Sequence, residues 1–343
     1  MFMLGACGGG KTDSLQELLD GLDLVYDPDL LADVEFTTPQ GFGVMVGQYI
    51  STGNPEYVDA GFRFGDETLA STGFRLRAPV QAGGGVAANG TGTVVLNAGD
   101  VLQVYTSAGD LTGTHVNSDH PVQVFGGHKC TNIPSNITAC DHLEESMFPI
   151  NTLADEYIVS PPSLPTLAQP KAFFVRVIAA EPAVSVEFDP PVIAPITLGN
   201  LGDYVEIDAA QSFHIQATGR ILVSQYMKGQ DAGGNSGDPA MALAVTSSQF
   251  REDYLFHSPV NYEHNYVNII APNGAQVTLD GAAVTGFEPV GATGYSNARF
   301  KFPNTGDGNH RVLADQRVGV TVYGYGQYTS YWYPGGLNLT ELN

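Results

Sequence analysis

The densest group of potentially reactive side chains lies in residues 128–149, which read HKCTNIPSNITACDHLEESMFP. Imidazole and thiolate groups are common zinc ligands, so His128, Cys130, Cys140 and His142 could supply an N2S2 set. A thiol beside an imidazole could also act as a nucleophile with the histidine as its base, as in a hydrolase centred on Cys140. Both kinds of site need the cysteines as free thiols.

A disulfide between Cys130 and Cys140 is the interpretation that removes both kinds of site. The two cysteines stand 140 − 130 = 10 residues apart, and cysteines so placed in an exported chain are usually bridged. Neither the Cys-x2-Cys nor the His-x3-His spacing of common zinc sites occurs. We therefore predict a disulfide that closes this loop and leaves four polar side chains displayed for ligand binding. They are His128, Asp141, His142 and Glu144.

Residues 228–239, KGQDAGGNSGDP, form a glycine-rich stretch with three oxygen-bearing side chains, Asp231, Asn235 and Asp238. Carboxylate and amide oxygens are ligands that calcium takes in extracellular proteins. The same residue types also form Asx and glycine turns that hold no ion. Calcium at these three residues is therefore an alternative to a plain turn, and it is the cofactor that the sequence leaves open.

An aromatic stretch near the C-terminus, residues 323–336, reads YGYGQYTSYWYPGG. Tyrosine and tryptophan are enriched in binding surfaces because they offer a large contact area with a polar tip. Successive side chains of a strand point to opposite faces, so at most half of these rings can line one surface. We take Tyr328 and Trp332 as candidate ligand-binding residues.

Residues 127–145 carry a longer pattern: Gly-His-x-Cys, a proline-containing spacer, and then Ala-Cys-Asp-His-Leu-x-Glu. This pattern resembles the signature of the IgGFc-binding protein N-terminal domain family, which occurs in mucin-associated animal proteins and in bacterial surface proteins. The resemblance covers nearly everything after Val34. It implies an all-β domain that recognises an extracellular protein or glycoprotein, but it does not identify antibody Fc as the ligand of this chain.

The charge balance argues against nucleic acid as a partner. Fourteen basic and 36 acidic residues give a formal net charge of −22, which repels the phosphates of nucleic acids and of anionic lipids. Residues 4–7, LGAC, match the lipobox that precedes the lipidated cysteine of bacterial lipoproteins, although only three residues precede the box. We predict that membrane attachment is through a lipid at Cys7, on a bacterial outer membrane or cell surface.

Beyond Val34 the sequence repeats. Residues 114–124, 213–223 and 310–320 align without gaps, at offsets of 213 − 114 = 99 and 310 − 213 = 97. In each copy a polar turn precedes an alternating apolar strand, which is typical of a β-hairpin. We predict an all-β fold of tandem antiparallel β-sandwich-like modules, in which the loops after the repeated strands form one continuous face.

The predicted organisation has four parts. Residues 1–33 hold the lipobox, a flexible tether and a short helix, which apolar residues at helical spacing predict within residues 12–33. Residues 34–156, 157–253 and 254–343 are the three β modules. The chain is thus predicted to be a non-enzymatic, exported surface protein that binds an extracellular protein or glycoprotein through its inter-module loops. The alternatives are a carbohydrate-binding or calcium-dependent surface module and, less favoured, the hydrolase at Cys140.

Overall fold

The computed structural model describes residues 68–75, 90–97, 102, 104, 110–119, 121–166 and 169–339. Nearly all of these residues belong to one compact unit. The lipidation site predicted at Cys7 and the helix predicted within residues 12–33 lie outside the described residues. Within the described ranges, no helix is long and apolar enough to cross a membrane.

The regular structure of the described residues is almost entirely strand, with short 3-10 turns at Ile150–Thr152, Gln230–Ala232 and Ser247–Gln249. The first five strands form two small sheets. β1 (Thr68–Arg75), β2 (Thr91–Asn97) and β3 (His115–Ser118) make a three-stranded sheet with β1 in the middle. β4 (Phe125–Thr131) and β5 (Asp141–Ser146) pair as an antiparallel hairpin.

Seven further strands form what we call the central β unit. They are β6 (Ala154–Val159), β7 (Phe173–Ala179), β8 (Val184–Asp189), β9 (Ile196–Leu198), β10 (Tyr204–Ala209), β11 (Phe213–Met227) and β12 (Met241–Leu243). The order is β10-β7-β11-β8-β9, and β6 and β12 also pair with β11. The first half of the 15-residue β11 pairs with β6 and β8, and its second half pairs with β7 and β12. The sheet therefore curls about β11 and encloses a core.

The last eight strands form the C-terminal β unit. They are β13 (Arg251–His257), β14 (His264–Pro272), β15 (Val277–Leu279), β16 (Ala282–Ala283), β17 (Glu288–Pro289), β18 (Tyr295–Phe302), β19 (Asn309–Gly326) and β20 (Thr329–Pro334). The order is β16-β15-β19-β14-β18-β17, and β13 and β20 also pair with β19. The 18-residue β19 runs through the unit as β11 does, pairing first with β13 and β15 and then with β14 and β20.

The two units share one strand order. β18-β14-β19-β15-β16 of the C-terminal unit matches β10-β7-β11-β8-β9 of the central unit, and β13 and β20 take the places of β6 and β12. The aligned stretches 213–223 and 310–320 both lie in the long strands, whereas in residues 114–124 only the short β3 forms. The predicted all-β antiparallel fold is confirmed. The predicted module boundaries stay predictions.

Alternation of apolar and polar residues explains which side of each strand is buried. In β7, Phe173, Val175, Val177 and Ala179 are buried, while the residues between them are partly exposed. The core of the central unit continues into four aromatic side chains of the C-terminal unit. These are Tyr266, Tyr323, Tyr325 and Trp332. The two units therefore share a buried interface, and a second core lies within the C-terminal unit around Val267, Val312 and Val322.

Candidate functional site

The hairpin of β4 and β5 is closed by a disulfide between Cys130 and Cys140, which confirms the predicted pairing. The hairpin backbones approach closely at Gly127, where a Cβ would lie 2.2 Å from the carbonyl oxygen of Leu143. A side chain at position 127 would therefore force the strands apart. Because both sulfurs are bonded to each other, neither is available as a zinc ligand or as a nucleophile, which corrects the two thiol-based alternatives.

Beside the disulfide, His142 and Glu144 form a pair on one face of β5. The Nε2 atom of His142 lies 3.2 Å from Oε2 of Glu144, and its Nδ1 atom lies 2.9 Å from the carbonyl oxygen of His128. Both contacts are to oxygen atoms of the hairpin. The exposed ring of His128 accepts a hydrogen bond from the backbone N–H of Cys130 at 3.1 Å. These contacts hold His128 and His142 against the hairpin.

The disulfide loop packs against residues 228–239. The backbone N–H of Gly229 donates to the carbonyl of Ile133 at 2.8 Å, and the N–H of Asp231 donates to the carbonyl of Thr138 at 2.8 Å. A Cβ at Gly229 would lie 2.9 Å from the Thr138 oxygen, so this approach also depends on glycine. Two loops that are far apart in sequence are thus joined edge to edge.

The turn between β19 and β20 also contacts residues 228–239. The N–H of Gly237 donates to the carbonyl of Gly326 at 2.9 Å, and the N–H of Asp238 donates to Oγ of Ser330 at 2.9 Å. We call the surface made by residues 132–140, 228–239 and 326–330 the junction face. Three of the loops predicted to share one face therefore meet, through backbone hydrogen bonds rather than through the side chains predicted to bind a ligand. The first loop of that prediction, residues 51–73, lies mostly outside the described residues.

Two charged side chains are buried beneath the junction face. Asp238 is only 2% exposed, and its Oδ1 atom has no hydrogen-bond partner. The pKa of Asp238 is raised to about 6, chiefly by burial and then by the charge of half-buried Asp141, while Lys171 opposes both effects. Burial also raises the pKa of Asp141. This part of the site is therefore set up to change charge in mildly acidic solution.

Lys171 lies on the other side of this cluster. Its Nζ atom donates to the carbonyl oxygens of Lys228 and Gly229 at 2.9 and 3.4 Å and lies 5.3 Å from the ring centroid of Tyr325. Burial lowers the pKa of Lys171 to about 8, although Asp238 favours its charged form. The ammonium thus fixes the start of the glycine-rich loop from below.

Lys171 and Glu145 are functional candidates that the sequence did not predict. Burial and the neighbouring charge of Glu144 raise the pKa of Glu145 to about 8. The alternation of side chains along β5 was the one signal that could have indicated a buried Glu145, because Glu145 lies on the same side of this strand as the buried Leu143. For Lys171 the sequence offered only a lone basic residue just before an apolar strand.

The other predicted site residues fall in different environments. Asp231 and Asn235 are exposed, whereas Asp238 is buried, and the described part of the chain has no group of three or more His, Cys, Asp or Glu side chains that could hold a metal ion. Calcium at these residues stays a prediction. Tyr328 is 59% exposed at the tip of the β19–β20 turn, but Trp332 is 4% exposed and packs on Phe173 at 6.3 Å between ring centroids. Trp332 is a core residue because its position in β20 faces inward, which corrects the expectation of a displayed indole.

Fold and site together define a class: an all-β antiparallel protein in which a disulfide-closed hairpin and two further loops are held together on one face. The pattern of the IgGFc binding protein family matches residues 65–324, which is most of the chain, and the chain belongs to this family. A curated relative, the human IgGFc-binding protein, is 26% identical over 271 residues, which cover 73% of this chain and 5% of the relative. The chain thus spans only a small fraction of that protein.

Proposed function

We propose that this chain is an extracellular binding module that recognises a protein or glycoprotein through the junction face. The observation that carries the proposal is the convergence of three loops on one face of a rigid β scaffold, in a chain of the IgGFc-binding family. Loops fixed on a sheet framework are where binding sites concentrate. The name of the human relative refers to the binding of IgG Fc, and for this chain we propose only the broader class of extracellular protein ligands.

The chain is proposed to act by binding rather than by catalysis. The cysteines of the hairpin are joined to each other, and the bond belongs to an oxidising compartment outside the cytosol. We further propose that Cys7 carries the lipid that tethers the protein to a bacterial surface. The side chains that we propose contact the ligand are Tyr328 of the junction face and two that border it, His128 in β4 and Glu144 in β5.

Binding to arrays of serum proteins, mucin-type glycoproteins and glycans tests the proposal. We expect a protein or glycoprotein signal that falls about tenfold or more in Tyr328→Ala and His128→Ala if these are among the few residues that dominate the binding energy, each of which costs more than about 1 kcal/mol when truncated. Leu201→Ala is the matched control, since Leu201 is also exposed but lies in the turn between β9 and β10. Equal binding by wild type and both variants would refute the location of the site.

The same arrays separate the two alternative binding functions. A signal restricted to free glycans would favour a carbohydrate-binding module. A signal abolished by EDTA and restored by calcium, and lost in Asp231→Asn, would favour the calcium-dependent one.

A further inference from the structure

Equivalent positions in the two β units can be matched residue by residue through a buried tyrosine. The hydroxyl of Tyr157 donates to the carbonyl of Ile221 at 3.0 Å and accepts from the N–H of Ala154 at 3.2 Å. The hydroxyl of Tyr254 donates to the carbonyl of Val318 and accepts from the N–H of Arg251 in the same way. The offset is 97 for all three pairs: 254 − 157, 318 − 221 and 251 − 154. Position 255 is therefore the counterpart of position 158.

These two counterparts have opposite surroundings. Ile158 is 3% exposed and is buried against Phe250, Ile270 and Val290, which belong to the C-terminal unit or the turn before it. Leu255 is 77% exposed. Leu255 has the highest exposed fraction of the large hydrophobic side chains among the described residues. Its position corresponds to the place where the central unit contacts the C-terminal unit.

A polar residue at the edge of the contact between the two units, Asp189, also has a counterpart in the C-terminal unit. Oδ2 of Asp189 accepts from the N–H of Ala292 at 2.8 Å, across the boundary between the units. Ile215 pairs with Phe188 and Val312 pairs with Leu279, so Asp280 is the counterpart of Asp189. Asp280 accepts from His310 and from the N–H of Arg311, and Arg311 is the residue that pairs with Leu255 across β13 and β19.

We propose that the outer face of β13, β15 and the first half of β19 is a docking face for a further β unit of this same fold. Leu255 and Leu313 are its apolar centre and Asp280 is part of its rim. The occupant would present an apolar edge like that of Phe250, Ile270 and Val290, with a backbone N–H for Asp280. Such a contact joins unlike surfaces, so it extends an array of units rather than closing a symmetric pair.

An extended chain tests the proposal. Leu243 and Pro334 hold equivalent positions, since Ser224 pairs with Leu243 and Thr321 with Pro334, so residues 1–334 followed by residues 244–343 keep the natural spacing between units. Leu255→Cys is introduced at the original position 255 of both the parent and the extended chain, and Cys7→Ser removes the other free thiol from both. The measured quantity is the rate at which a thiol reagent labels Cys at position 255. We expect at least about tenfold slower labelling in the extended chain than in the parent, as burial of the thiol excludes the reagent.

Two variants make the result specific. Ile270→Asp placed only in the appended copy should restore fast labelling, because it puts a charge into the proposed apolar contact. Leu201→Cys, exposed elsewhere on the central unit, should be labelled equally fast in both chains. Labelling of Leu255→Cys as fast in the extended chain as in the parent would overturn the proposal, whether the appended unit docks elsewhere or does not dock.

Discussion

At the scale of single residues, burial decides the charge of Glu145. Its pKa is raised from the usual 4.5 to about 8 by burial and by the charge of Glu144. Between pH 4.5 and 8 the folded state therefore holds a proton that the unfolded state has lost, so stability falls as the pH rises through this range. We expect Glu145→Gln to remove much of this loss, on the order of 2 kcal/mol.

The measurement is the free energy of unfolding in urea at pH 5 and at pH 8, for wild type and for Glu145→Gln. Asp238, whose pKa is raised to about 6, contributes in the same direction at the acidic end of the range, so the variant should flatten the dependence without abolishing it. Glu187→Gln, on an exposed position of β8, is the control. A variant with the same pH dependence as wild type would mean that Glu145 is ionised in the folded protein at neutral pH.

The buried hydroxyls of Tyr157 and Tyr254 each bridge two backbone groups. Tyr157→Phe leaves the Ile221 carbonyl and the Ala154 N–H without their partner in a buried position, which costs about 1 to 3 kcal/mol. Tyr254→Phe should cost a similar amount for the same reason. Tyr328→Phe, at an exposed turn, should leave the unfolding free energy unchanged, and equal curves for all three variants would contradict the assigned role of the buried hydroxyls.

The burial of individual side chains was the feature least predictable from the sequence. Alternation along residues 323–336 predicted that about half of the rings point one way, but not which half. The outcome depends on the packing of the central unit against the C-terminal one, which buries Trp332 beside Phe173 and leaves Tyr328 outside. The raised pKa of Asp238 likewise arises from three segments far apart in sequence, and no local pattern contains it.

At the scale of elements, the disulfide hairpin is expected to stabilise the fold and to shape the junction face. Cys130→Ala together with Cys140→Ala should lower the free energy of unfolding by about 2 to 3 kcal/mol, mainly because the open loop gains freedom in the unfolded state. The measurement is urea unfolding without reductant. Reduction of wild type should reproduce the loss, while Cys7→Ser should not change the curve. If reduction leaves the unfolding curve unchanged, the bond contributes nothing to stability.

The strands themselves were largely predictable. Runs such as FFVRVIA and YVNII are rich in aromatic and β-branched residues with a single polar residue in each, and they form β7 and part of β14. The aligned stretches 213–223 and 310–320 predicted strands at both places, but not that each is part of one long strand that pairs on both sides of a curled sheet. Which strands lie beside one another depends on contacts far apart in sequence, and a single sequence does not record them.

At the scale of the whole molecule, the two β units are joined through a buried polar network as well as an apolar core. Nδ2 of Asn268 donates to Oγ of Ser160 and to the carbonyl of Pro161, and its Oδ1 accepts from the hydroxyl of Tyr323. Asn268 belongs to the C-terminal unit, whereas Ser160 and Pro161 directly follow the central strand β6. An apolar side chain at position 268 would remove three buried hydrogen bonds, each of which contributes about 0.5 to 1.5 kcal/mol. Ser160, Pro161 and Tyr323 would keep their contacts with Ser212, Arg299 and Ser163.

We therefore expect Asn268→Leu to weaken the coupling between the units, so that heating produces two overlapping transitions in place of one. Calorimetry measures this as a van't Hoff enthalpy that falls below the calorimetric enthalpy. Asn304→Leu is the matched control: its amide donates to Tyr262 and Glu263 within the C-terminal unit, so the variant should lower the melting temperature without separating the transitions. If Asn268→Leu melts in a single transition with equal enthalpies, the shared aromatic core is sufficient to couple the units, and the polar network contributes only to the position of the contact.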